Sequence, residues 1–165
     1  MKDFNDCVSE YRRQVQKGEI VKAYRGLMEY MMNLRNHFRD RFPEYSFPGN
    51  IYSGYMDMTY FPVLTPELKA KGLKTAIVLI HDDVRFEAWL SGYNKQIQMK
   101  YWSLVREKGW DRYRVPESIK GIDSIVECDL ALSPDFSDTA SLTGTIETLA
   151  HKFIMDTETF FKDLD

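Results

Sequence analysis

The chain has 165 residues, of which 44% are hydrophobic and 14% aromatic, enough apolar material for one folded domain and too much for a disordered chain. Its 22 Lys and Arg stand against 25 Asp and Glu, and the resulting net charge of −3 provides no general attraction to nucleic acid or anionic lipid. Cys7 and Cys128 lie far apart, one on the apolar side of a helix pattern and one inside a strand pattern, which predicts reduced, buried thiols and no disulfide.

Phe4, Cys7, Val8, Tyr11 and Val15 recur at helical spacing, and Gly18 breaks this first helix. A second helix is predicted from Glu19 to Asp40, with Ile20, Tyr24, Leu27, Met28, Met31, Leu34 and Phe38 at intervals of three and four. Pro43, Pro48 and Gly49 close this helical part, residues 1–42, with a loop packed down on the body and no linker. From Gly54 to Phe61 the period changes to two, as in a strand with unlike faces that Pro62 and Pro66 end. A short connection leads to Thr75-Ala-Ile-Val-Leu-Ile80, apolar on both sides as a central strand covered on two faces would be. Asp82 and Asp83 supply a turn, and Val84 to Ser91 alternates as the next strand. Asn94 caps a third helix with Ile97, Tyr101, Leu104 and Val105 inward, which Gly109 ends. Trp110 to Gly121 reads as a long surface connection, Ser124 to Leu132 as a fourth strand, and Thr139 to Asp163 as a final helix.

The expected architecture is therefore α+β, one domain over 1–165, with about four strands in the order α-α-β-β-β-α-β-α and helices packed on the sheet. Residues 50–165 would hold the sheet and two helices. The Met1-Lys-Asp-Phe start has no apolar core of signal-peptide length, and nothing approaches the ~20 apolar residues of a membrane span. The expectation is a cytoplasmic protein with no membrane partner.

A hairpin turning at Asp82 and Asp83 pairs Ile80 with Arg85, Val78 with Glu87 and Ala76 with Trp89, setting an Arg, a Glu and a Trp on an apolar floor. With the first strand beside the central one, Asp57, Arg85, Glu87 and Trp89 would line a cleft closed by Tyr93, Asn94 and Gln98 at the start of the third helix. The helix start favours an anion there. The competing reading is a rim ion pair of Arg85 and Glu87 with Trp89 packed under a helix.

The blocks Gly54-Tyr-Met-Asp-Met-Thr-Tyr-Phe61, Gly72-Leu-Lys-Thr-Ala-Ile-Val-Leu-Ile-His81 and Arg85-Phe-Glu-Ala-Trp-Leu-Ser-Gly-Tyr-Asn-Lys-Gln96 resemble a family of small uncharacterised prokaryotic proteins, a domain of unknown function. Ser124-Ile-Val-Glu127 and Pro134-Asp-Phe136 fit it too. The likeness covers most of the chain and implies no activity.

Element order also resembles the core of restriction-endonuclease-like nucleases, in which acids hold Mg²⁺ and a lysine follows the second acid by two places. With Glu87 as that acid, the place holds Trp89. Asp57 or Asp83 with Glu87 could still bind a metal through oxygen. His37, His81 and His151 share no local metal spacing, and His81 with Asp57 and Asp83 is a weaker acid/base candidate. Arg12, Arg13, Lys17, Lys22, Arg25, Arg35, Arg39 and Arg41 are interleaved with acids, the pattern of a solvated face, so a nucleic-acid partner is not expected. Met28, Met31 and Met32 with Tyr24 and Tyr30 read first as core packing, with apolar surface for a homodimer as the alternative. No spacing calls for a metal or another cofactor. The sequence thus points to a non-catalytic binding or interaction domain, with a degenerate Mg²⁺-dependent nuclease-like enzyme as the second reading.

Overall fold

A computed structural model describes residues 1–164. Its elements are α1 (Phe4–Lys17), α2 (Glu19–Arg41), β1 (Met58–Val63), α3 (Pro66–Ala70), β2 (Leu73–Ile80), β3 (Arg85–Gly92), α4 (Lys95–Glu107), β4 (Val126–Ala131) and α5 (Thr139–Lys162). The expected α+β order is present, with the short α3 added between the first two strands. Thr65 caps α3 and Pro66 opens it, a start signal that the lysine-rich connection concealed.

The strands form one antiparallel sheet in the order β1-β2-β3-β4, so each strand pairs with its sequence neighbour. Phe61, Ile77, Ala88 and Cys128 lie in one row across it, facing the helices, and the next row, Tyr60, Val78, Glu87 and Asp129, faces the other way. The core lies on the first of these faces. Tyr30, Met31, Leu34 and Phe38 of α2, Tyr101 and Val105 of α4, and Leu142, Ile146, Phe153, Ile154 and Phe161 of α5 join Phe61, Ile77, Leu79, Phe86 and Leu90 in it. Each such buried aromatic or branched side chain stabilises the fold by roughly 1.5–3 kcal/mol relative to exposure.

β2 departs from the expectation of two covered faces. Ile77 and Leu79 are buried by helices, but on the opposite side Ala76 and Ile80 are only half-buried. Val78 is fully buried there without belonging to the helix-covered core. β1 also differs, beginning at Met58 and running through Pro62. Gly54 and Met56, both at positive φ, occupy a turn before it, and a Cβ on Gly54 would sit 2.0 Å from the Met58 carbonyl oxygen. Pro62 is tolerated because β1 is the edge strand and the ladder needs no N–H on its outer side.

Exposure also differs from the expectation at several positions. Cys7 is exposed, not buried, because α1 buries no residue; Phe4 and Tyr11 stand in solvent. Cys128 is buried, and burial pushes its thiol up to about 11. Trp110 and Tyr113 are packed against α5, with Trp110 stacked on Phe160 and Tyr113 edge-on to Phe153, so the segment after α4 is not a simple surface connection. Among the methionines named for a dimer surface, Met31 is buried and Met32 is exposed. No helix among the described residues is long and apolar enough to cross a membrane.

Candidate functional site

The β2–β3 register pairs Ile80 with Arg85, Val78 with Glu87 and Ala76 with Trp89. The turn between them is wider than two residues, running from His81 to Val84, with Val84 at φ 52°. A β-branched residue at positive φ is strained, and the short strand-to-strand link holds it there. The alternation of β3 then carries Arg85, Glu87 and Trp89 to the face away from the helices.

Glu87 is 2% exposed, and both of its carboxylate oxygens are occupied. Arg85 Nε donates to Oε1 at 2.9 Å, Arg114 donates to the same oxygen at 3.0 Å, and the Trp89 indole N–H donates to Oε2 at 2.6 Å. Arg85 also reaches Asp83 at 2.5 Å, and its bonds to Glu87 and Asp83 hold the guanidinium well above its ordinary pKa. On β4, Glu127 pairs with Trp89 and Asp129 with Glu87 in the ladder. Arg114 bridges this row, donating to Glu127 at 2.9 Å and to Asp129 at 3.1 Å, while Ser124 donates to Glu127 at 2.6 Å. A buried carboxylate bonded to three donors in this way is fixed in place by β3 and Arg114.

Asp57 does not join this group. It lies beyond the start of β1, where its side chain accepts from the Tyr55 amide at 2.9 Å; backbone hydrogen bonds from Tyr55 and Met58 hold its carboxyl below the usual range. His81 Nε2 meets the Thr59 hydroxyl at 2.8 Å and the ring stacks on Tyr24; burial lowers its pKa and Asp57 partly opposes that. Asp83 is turned to Arg85. The carboxylates that a nuclease-like metal site needs are thus occupied separately, and among the described residues no three His, Cys, Asp or Glu side chains gather as metal ligands.

The remaining candidate residues sit where β3 feeds α4. Gly92 is required there, since a Cβ on it would lie 2.6 Å from the Gln98 backbone nitrogen. Asn94 accepts from the Ile97 amide at 2.9 Å and so caps α4. Tyr93 is exposed beside the Lys74 ammonium. Gln98 is 8% exposed and its Oε1 accepts from the Gly92 amide at 2.6 Å. That bond fixes the amide orientation, because the reversed one would set two donors against each other. Gln98 Nε2 is then a buried donor with no partner, a condition that costs about 1–3 kcal/mol. Gln98 lines a cleft of about 640 Å³ together with Gly92, Asn94, Lys95, Met99 and the segment 119–123.

A family model for a domain of unknown function, DUF7000, matches residues 4–161. The chain belongs to the DUF7000 family. No curated protein and no solved structure matches it. The DUF7000 match runs from the start of α1 nearly to the end of α5, so the Glu87 network and the cleft at α4 both lie within the family's domain.

Strand and helix spacing join these two places into one site and do not include Arg114, Glu127, Asp129 or the 119–123 wall. A signal for part of this was available: Glu127 and Asp129 alternate with Val126, Cys128 and Leu130, so two outward acids on β4 required cations nearby. Arg114 offered no such signal, since its pairing with Glu127 is an isolated bridge from a segment without periodicity.

Proposed function

We propose that this DUF7000 domain is a non-catalytic binding protein whose recognition element is the cleft between the end of β3, the first turns of α4 and residues 119–123. The observation that carries this reading is Gln98 Nε2, a buried donor without a partner beside an open cleft. Folding leaves such a group unmatched only at a free-energy cost, and a ligand that accepts from it offsets that cost on binding. The Glu87 network supports the non-catalytic half of the reading, because its carboxylate is held by three donors and is poorly placed to accept a proton or a metal.

A fragment panel of mixed charge and shape, screened by ligand-observed NMR against the wild-type protein and Ile122→Trp, tests this. Ile122 is on the cleft wall and exposed, so the larger ring fills the cleft without disturbing the core. Fragments should bind wild type and lose binding to Ile122→Trp. Hits unaffected by that change, and displaced instead by Trp89→Phe, would move recognition to the open sheet face and sink the proposal.

A further inference from the structure

The chemistry of the cleft narrows the class of ligand, and this step rests on the cleft being the binding element. We infer that the cleft takes a small monocarboxylate with an apolar body. Gln98 Nε2 supplies a buried N–H pair with no acceptor. Asn94 occupies the Ile97 amide and the Asn94 carbonyl takes the Gln98 amide, while the Lys95 and Gln96 amides of the same turn have no partner among the described residues. Those donors stand at the positive end of a helix of 13 residues, where an anion is favoured.

The charges around the cleft set the valence. Lys95 and Lys120 line it and enter no ion pair among the described residues, and Asp123 is the single acidic residue of the lining. Two cations against one carboxylate leave room for one negative charge, which suits a carboxylate better than a phosphate dianion. Met99, Ile119 and Ile122 form the walls, so the rest of the ligand meets apolar surface. A flat carboxylate accepts from the helix start through one oxygen and, once the enclosed Gln98 amide turns out into the cleft, from Nε2 through the other, matching donors of both kinds.

The test is a titration of the full chain followed in ¹H–¹⁵N spectra with three probes: benzoate, its neutral counterpart benzamide, and inorganic phosphate. Benzoate should shift the Gln98 side-chain NH₂ pair and the Lys95 and Gln96 amides to saturation, binding about tenfold or more tightly than benzamide. Gln98→Glu removes the donor pair, keeps the acceptor for Gly92 and adds a repelling charge, so benzoate binding should fall by about tenfold or more. Lys95→Met, at an exposed position that leaves the fold alone, should weaken benzoate but leave benzamide unchanged. Equal binding of benzoate and benzamide, phosphate binding more tightly than benzoate, or benzoate unaffected by both substitutions overturns the inference. Neutral fragments filling the cleft while benzoate does not would overturn the carboxylate class and leave the cleft reading standing. Silence of the cleft towards every probe and fragment would end both.

Discussion

At Glu87, in the middle of β3, a buried carboxylate meets three donors from β3 itself and from Arg114, whereas Gln98 of α4, beside the end of the same strand, holds one amide atom bonded to Gly92 and the other unmatched. Both groups are more than nine-tenths buried. The difference shows that burial of a polar group does not by itself mark a binding site. What separates structural from available polarity is whether the fold supplies the partners, and here it does so on β3 and β4 but not at the start of α4.

Substitutions can break this contrast in order of expected effect. Glu87→Ala removes the acceptor shared by Arg85, Arg114 and Trp89, while Arg85 keeps Asp83 and Arg114 keeps Glu127 and Asp129, so the loss of three hydrogen bonds should destabilise the fold by about 3 kcal/mol in urea unfolding. A loss below about 1 kcal/mol would mean that the network is loosely held. Trp89→Phe keeps most of the ring but leaves Glu87 Oε2 with no donor, and should cost about 1–3 kcal/mol. An unchanged midpoint there would show water replacing the indole.

A pH series sharpens the same comparison at His81, whose hydroxyl partner Thr59 is fully buried. Burial lowers the folded pKa of His81 below its ordinary 6.5, so as the pH falls through that value the unfolded chain takes up the proton first. The stability that His81 contributes is therefore present above about pH 6.5 and is lost as the pH drops towards the folded pKa. Urea midpoints should decline across this window and do so less steeply in His81→Gln; parallel slopes would remove His81 as the cause. At the small end, Phe4→Ser and Tyr11→Ser on α1 should each change global stability by no more than about 0.5 kcal/mol, because that helix buries nothing. A loss of several kcal/mol would show that α1 is covered in solution.

Much of the fold was legible because the signals were local. Helical spacing placed α2, α4 and α5, and period two placed β3 and β4, since each of these buries one face of its own; α1 shows the same spacing although it buries no residue. The pairing of Val78 with Glu87 followed from the same alternation once the hairpin was located. Two kinds of feature were not legible. α3 is too short to show periodicity, and the true start of β1 depends on the turn at Gly54 and Met56, both at positive φ, which alternation does not reveal. The site required distances between segments: nothing in the spacing showed that Arg114 would close over Glu87, or that residues 119–123 would return to the start of α4 and leave Gln98 Nε2 unpaired. Glu87 alternates on β3 as expected, whereas Asp57 lies before β1, and the two are held by different partners: the turn at Gly54 captures Asp57, and Arg85, Arg114 and Trp89 hold Glu87.

The most direct measurement follows two side chains in one set of spectra, the Trp89 indole N–H and the Gln98 NH₂ pair, during titration with a fragment that binds the wild-type protein. The account predicts that the Gln98 pair shifts to saturation while the Trp89 indole stays in place and exchanges slowly, as a donor locked on Glu87 should. A moving Trp89 indole with a still Gln98 would contradict it, placing recognition on the charged face of the sheet and leaving the α4 cleft as a packing feature.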